Sequence, residues 1–316
     1  MIRTYFLNSQ KLPLVVEPET FNKSAYLLNE LARSHRDFFR ERLLRYGALL
    51  FRGFEVTEAA EFEDFVRRFS GKELLDYAGG VSPRRSLNKG VYTSTEYPPQ
   101  LALGLHNELS YSKVYPRQLY FFSHTAPSNS GETTLGDSRK ILQNIRSKIV
   151  GLFKHKQIRY DRILHPDKGS GYSWQDAFET GDKTEVEKIC GRAGADFCWQ
   201  KNDILRISQT RPATACHPET GEEVWFNQAD GFHPSNLDAE TQKTLDESGE
   251  RPRLNCFFGD DSYICGLMLE HVRGVLQNET VLHRWQTGDI LIVDNLLTAH
   301  GRMPFSGARK ILLAMT

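Results

Sequence analysis

The chain has 316 residues, with 40 Lys+Arg balanced by 40 Asp+Glu, so its formal net charge is zero. Hydrophobic residues make up 39% and charged residues 25%, ordinary proportions for a globular protein long enough to bury a large core. The charge balance argues against nucleic acid or an anionic membrane surface as the main partner, and no apolar run approaches the ~20 residues of a membrane span.

Met1 to Asn8 has neither a long apolar core nor a small-residue cleavage site, so neither export nor membrane insertion is expected. Pro13 and Pro18 bracket the next segment. Residues 22–46 read as one helix with Tyr26, Leu27, Leu31, Phe38, Leu43 and Leu44 as its apolar stripe and Gly47 at its C-terminal cap. Ala48 to Gly53 is a short buried strand. Thr57 is the expected N-cap of a helix over 58–69, with Phe62, Phe65, Val66 and Phe69 on one face. Residues 70–89, rich in Gly, Ser, Arg and Pro, form an irregular excursion. Its Arg84, Arg85 and Lys89 suit a carboxylate or phosphate, although a run of charge is ordinarily a solvated face.

Strands are expected at 90–94 and 117–123, and a turn into a strand at 131–135. A helix capped by Asp137 or Ser138 should run to about residue 150. Residues 161–203 form a polar insertion containing Gly169-Ser170-Gly171-Tyr172 and a helical piece at 183–191. Insertions of this kind cover sites and order on ligand binding, so the segment is a candidate lid. Further strands are expected at 204–207, 210–216, 224–227, 288–294 and 309–314, with a helix over 262–276. Short strands after N-terminal helices point to a mainly β fold with flanking helices, a sandwich or jelly roll in one domain spanning 1–316. Cys190, Cys198, Cys216, Cys256 and Cys265 are odd in number and include no Cys-x-x-Cys. They read as reduced, mostly buried thiols of a cytoplasmic protein.

The stretch Gly104-Leu105-His106-Asn107-Glu108-Leu109-Ser110 sets an imidazole and a carboxylate two residues apart. On a strand such residues share a face, so one short strand would aim both at a single ion. His300, within Asp294-Asn295-Leu296-Leu297-Thr298-Ala299-His300-Gly301-Arg302, completes a two-histidine, one-carboxylate set. That set holds non-haem Fe(II) and leaves positions for a bidentate co-substrate and dioxygen. Zinc, which accepts the same donors, is the chemical rival and would point to a hydrolase. Downstream, Arg309 opens the last strand, and Pro304, Ser306 and Gly307 supply a turn that returns it toward the metal site. A guanidinium there grips a carboxylate with two parallel hydrogen bonds; otherwise it is a solvated surface residue.

Together His106-Asn107-Glu108, Gly131-Glu132-Thr133, Asp294-Asn295 through His300-Gly301-Arg302, and Arg309 resemble the taurine dioxygenase (TauD/TfdA) superfamily of Fe(II)/2-oxoglutarate oxygenases. The likeness is nearest to the clavaminate synthase and SyrP-like hydroxylase branch, through Leu50 to Phe54, Tyr92 to Pro98, Leu105 to Tyr111, Gly131 to Leu142 and Trp225 to Gln228. The resemblance implies a double-stranded β-helix (a cupin-like jelly roll) with His106, Glu108 and His300 as iron ligands. It implies that Arg309, helped by Thr133, binds the distal carboxylate of 2-oxoglutarate, with O2 as second co-substrate. Glu108 stands where many members carry Asp, which fits the nearer branch and argues against a halogenase.

The implied activity is hydroxylation of an amino-acid-like metabolite, with succinate and CO2 as co-products; desaturation, epoxidation and cyclisation are variants of the same chemistry. A non-catalytic jelly-roll binding protein is the non-enzyme alternative. Tyr92, Asn107, Asn227 and Arg302 are substrate-pocket candidates by neighbourhood, each with a structural role as its alternative. If the substrate is tethered, a peptidyl carrier protein becomes a partner. Oligomeric state is open at this stage.

Overall fold

A computed structural model describes residues 2–82, 84–88, 90–95, 97–166 and 172–316. Lys89, Glu96 and the Gly169-Ser170-Gly171 portion of the expected insertion lie outside the described residues. The architecture is the expected jelly roll: two sheets face each other across an apolar core, and helices cover the outer face of the larger one. That sheet has eight strands, in the order Ile2–Phe6, Leu14–Pro18, Ala48–Phe51, Ile290–Asp294, Gln118–Thr125, Lys310–Met315, Val91–Thr93 and Ser86–Asn88. The smaller sheet runs Val281–His283, Thr133–Asp137, Thr298–Arg302 and Leu103–His106.

Alternation along the central strands explains why they read as unbroken apolar runs. Leu291, Val293, Leu119, Phe121, Ile311 and Leu313 face inward, where they meet Leu105, Leu135 and Ala299 of the smaller sheet. Ile290, Ile292, Tyr120, Phe122, Leu312 and Ala314 face outward, against Phe39, Leu43, Phe62, Phe65 and Phe69 of the helices. Both faces are buried, so no polar alternation is left in the sequence.

The expected helix over 22–46 is two helices, Ala25–Ser34 and Arg36–Tyr46, because His35 leaves helical geometry at φ −119°, ψ 26°. Gly47 closes the second at φ +79°, and a Cβ there would meet Thr298 Oγ1 at 2.2 Å, so the position requires glycine twice over. Glu58, rather than Thr57, is the N-cap of helix Ala59–Ser70, in a reciprocal capping box with Glu61. The helix expected from 138 to about 150 also breaks, into Ser138–Asn144 and Ser147–Lys156, with extended Ile145 turned into the core between them.

The segment 161–203 is not a bare polar insertion. Its start belongs to strand Ile158–Leu164, which pairs with Leu205–Arg211 and Leu254–Phe258 in a further sheet edged by Asp196–Trp199. Helices Trp174–Phe178 and Lys183–Arg192 close a core of Leu164, Trp174, Phe178, Val186, Leu205 and Ile207 against it. Of the five thiols only Cys190 and Cys256 are buried, so the expectation of mostly buried cysteines was too broad; all five are free. No helix among the described residues is long and apolar enough to cross a membrane.

Candidate metal centre and its cavity

His106 is the last residue of strand Leu103–His106, and it lies directly across from His300 on the antiparallel strand Thr298–Arg302. The two rings sit with centroids 4.4 Å apart. This pairing needs close backbone approach: a Cβ on Gly301 would meet the Leu103 carbonyl at 2.4 Å and Thr134 Oγ1 at 2.5 Å. Glu108 corrects the sequence reading, because the strand has ended and Glu108 stands in the following turn. Asn295 builds that turn. Its side chain accepts from the Glu108 N–H at 2.7 Å and donates to the Glu108 carbonyl at 2.9 Å. Asn107 points away from the metal donors and ties the turn to the Asn295 carbonyl at 2.6 Å. Gln228 holds the Asn107 carbonyl from the other side at 2.8 Å.

The result is one donor atom each from His106, Glu108 and His300, all within 4.8 Å of one another. The protonation states suit a metal. His106 Nδ1 lies 2.9 Å from the Gly104 carbonyl, which can only accept, so that nitrogen donates and Nε2 is the ring nitrogen left to face a metal. Burial, reinforced by the neighbouring His106 and Arg84, holds His300 well below the ordinary imidazole range, so it is neutral. His300 Nε2 is 4.0 Å from Glu108 Oε2, and Phe121 packs against the His300 ring at 5.3 Å. Two imidazoles and a carboxylate form the facial donor set that fits Fe(II).

His106 and His300 open into a pocket whose wall includes Arg84, Ser94, Thr133, Arg302 and Arg309. Arg309 Nη1 donates to Ser94 Oγ at 3.2 Å, and among the described residues Arg309 has no carboxylate partner. Burial, with Arg302 beside it, pushes the guanidinium down to about 10, so it stays cationic at neutral pH. Thr133 Oγ1 accepts from Trp285 Nε1 at 3.0 Å, which leaves its own O–H free to donate. Arg84, for which the sequence offered either a carboxylate or phosphate partner or a solvated face, has a buried side chain and donates to the Glu108 carboxylate at Oε2, 2.6 Å away.

The substrate candidates divide differently. Arg302 lines the cavity, but its Nη atoms donate to the carbonyls of Tyr97, Pro98 and Leu101, clamping that loop. Asn227 bonds to the Ala213 carbonyl and the Ala229 N–H, and the Tyr92 hydroxyl accepts from the Tyr77 N–H. Asn107, Asn227 and Tyr92 are not among the cavity-lining residues. The sequence left Asn295 and Trp285 without site roles. Only Asn295 sat inside a quoted motif.

Comparison with known proteins follows the same ground. The family profile "Taurine catabolism dioxygenase TauD, TfdA family" matches residues 9–316. The dapdiamide synthesis protein DdaC of Enterobacter agglomerans is 39% identical over 277 residues, 87% of this chain and 83% of that protein. A clavaminate synthase-like protein of Arabidopsis thaliana is 27% identical over 320 residues, 97% of this chain and 94% of that one. The fold is shared with PvcB of Pseudomonas aeruginosa at a TM-score of 0.59 and 16% identity, over 99% of this chain and 90% of that one. The family match runs through the ligand turn, the cross-strand histidine and the final strand alike; the chain belongs to the TauD/TfdA dioxygenase family and is a 2-oxoglutarate-dependent dioxygenase.

Proposed function

We propose that the enzyme hydroxylates an unactivated C–H bond of an amino acid or amino-acid-derived metabolite, free or carried on a peptidyl carrier protein, in a biosynthetic pathway. The observation that carries this reading is the convergence of His106, Glu108 and His300 on one point beside a cavity walled by Arg309 and Thr133. The relatives support the setting. DdaC is named for dapdiamide synthesis, and PvcB is described as an Fe, alpha-ketoglutarate-dependent oxygenase from an isonitrile synthetic pathway.

Iron(II) held by the triad, with 2-oxoglutarate and O2, supplies the oxidation: one oxygen atom goes to the substrate, the other to succinate, and CO2 leaves. The chain's own residues bind and orient. Arg309, desolvated and without an acidic partner among the described residues, takes the distal carboxylate of 2-oxoglutarate in charge-assisted hydrogen bonds. Thr133, its acceptor side engaged by Trp285, turns its O–H toward the same carboxylate. The Gly104 carbonyl fixes the His106 tautomer, and Phe121 keeps water from the back of His300.

Anaerobic titration with Fe(II) and 2-oxoglutarate tests the cofactor assignment. A weak visible charge-transfer band is expected, and its absence would favour zinc or an inert site. Glu108→Ala should cut succinate formation by more than about 100-fold. Full turnover by that variant with iron bound would sink the triad. Succinate release across a panel of amino acids, free and carrier-bound, then identifies the substrate.

A further inference from the structure

Glu108 has one more side-chain torsion than the aspartate common in this position, and its carboxylate would sweep a wider arc without a restraint. The turn holds only its backbone. The side chain is held by Arg84, whose Nη2 lies 2.6 Å from Glu108 Oε2 with the two side chains 6% and 5% exposed. Among the described residues no other carboxylate pairs with Arg84.

Arg84 is itself fixed. Its guanidinium carbon sits 4.2 Å over the Tyr77 ring. The chain leading to it is tied at Gly79, whose N–H donates to the Ala177 carbonyl at 2.7 Å. The Gly79 carbonyl accepts from Arg162 Nη1 at 2.7 Å and from the Tyr111 hydroxyl at 3.1 Å, and the Gly80 carbonyl accepts from Arg162 Nη2 at 2.7 Å. Beyond Arg84, the Arg85 N–H donates to Thr93 Oγ1 at 2.9 Å. A guanidinium anchored on both sides is placed before any ligand arrives.

We propose that Arg84 is a positioning residue for the carboxylate ligand: it holds Glu108 in one orientation, so that the longer side chain presents itself to the metal as a shorter one would. An ionised carboxylate has about four lone-pair positions, enough to accept the guanidinium and ligate a metal together. The inference rests on the reading of Glu108 as a ligand. It adds that the 70–89 excursion, through Arg84, is part of what shapes the metal site.

The test is Mn(II) binding, followed by EPR, in the wild type, Arg84→Met, Arg84→Lys, Glu108→Asp and the Arg84→Met/Glu108→Asp double variant, with circular dichroism to confirm folding. Loss of an outer partner of a metal ligand costs about 10- to 100-fold in affinity, so Arg84→Met should weaken Mn(II) by that factor and Arg84→Lys should recover part of it. In the Glu108→Asp background the shorter carboxylate no longer reaches the guanidinium, and the penalty should shrink to within about twofold. Wild-type affinity in Arg84→Met overturns the proposal. So does an equal penalty in the Glu108→Asp background, which would show that Arg84 acts on the local fold and not on the carboxylate. If Arg84→Met does not fold, Arg84→Gln carries the same comparison. Failure of the wild type to bind Mn(II) would instead remove the triad reading itself.

Discussion

His283 shows how a residue can be buried without a hydrogen-bond partner and still be tolerated, although the Asp289 carboxylate stands 3.9 Å from its Nε2. It is fully buried opposite Thr133, and neither ring nitrogen has a hydrogen-bond partner among the described residues. Burial, with the Arg52 charge nearby, pushes its pKa down to about 3. The folded state therefore refuses a proton that the unfolded chain accepts near 6.5, so stability is full above that pH and falls as the pH drops toward 3. Between pH 7.5 and 5.0 the loss from this one residue should be about 2 kcal/mol. His283→Phe keeps an aromatic ring and removes the titration. Urea unfolding of the variant at the two pH values should lack that loss; an undiminished pH dependence would mean other groups set the acid limit. At this scale the sequence was legible where chemistry is local to a motif, as with His106 and His300. It was silent on His283 and left Arg84 open between a carboxylate partner and a solvated face, because charge run and buried partner look alike until the opposite wall is known.

At the scale of elements, the segment 161–203 and its sheet form a folded unit with its own apolar centre. Trp174 is buried there and packs edge-on against Trp199 at 5.2 Å. Trp174→Ala should cost about 3–5 kcal/mol by the cavity it leaves. The cost falls on this unit, so limited proteolysis should cleave within 161–203 sooner than in the wild type, and an unchanged cleavage rate would contradict the independence of that core. Strands buried on both faces, such as Ile290–Asp294, were easy to place from their apolar runs. In the added sheet only 204–207, within Leu205–Arg211, was read from the sequence; Ile158–Leu164 was missed because it buries Ile158, Tyr160, Arg162 and Leu164, so its inward face includes a charged side chain that masks the alternation. The helix breaks at His35 and Ile145 were equally hidden, since neither carries a Pro or Gly signal.

For the whole molecule, the candidate metal donors come from two strands and a turn, and the proposed co-substrate residues Thr133 and Arg309 from two further points. Ligands that bridge them should stabilise the fold as a unit. Mn(II) with 2-oxoglutarate, each at about 100 times its Kd, should together add about 5 kcal/mol, roughly 2.7 kcal/mol from each, and raise Tm by about 8 °C. Thermal scanning with a chelator control measures this; no shift with both present would separate the donors from the co-substrate site.

The sequence by itself determined the donor types, the family and the jelly roll, because metal chemistry restricts which side chains serve and because the core strands carry their own apolar pattern. Tertiary structure alone decided that Glu108 reaches the site from a turn tied by Asn295, that Arg302 and Asn227 are engaged by backbone carbonyls, and that Arg84 faces Glu108. These depend on which distant backbone and side-chain groups become neighbours, and hydrogen bonds between residues so far apart leave no periodicity in the chain to read.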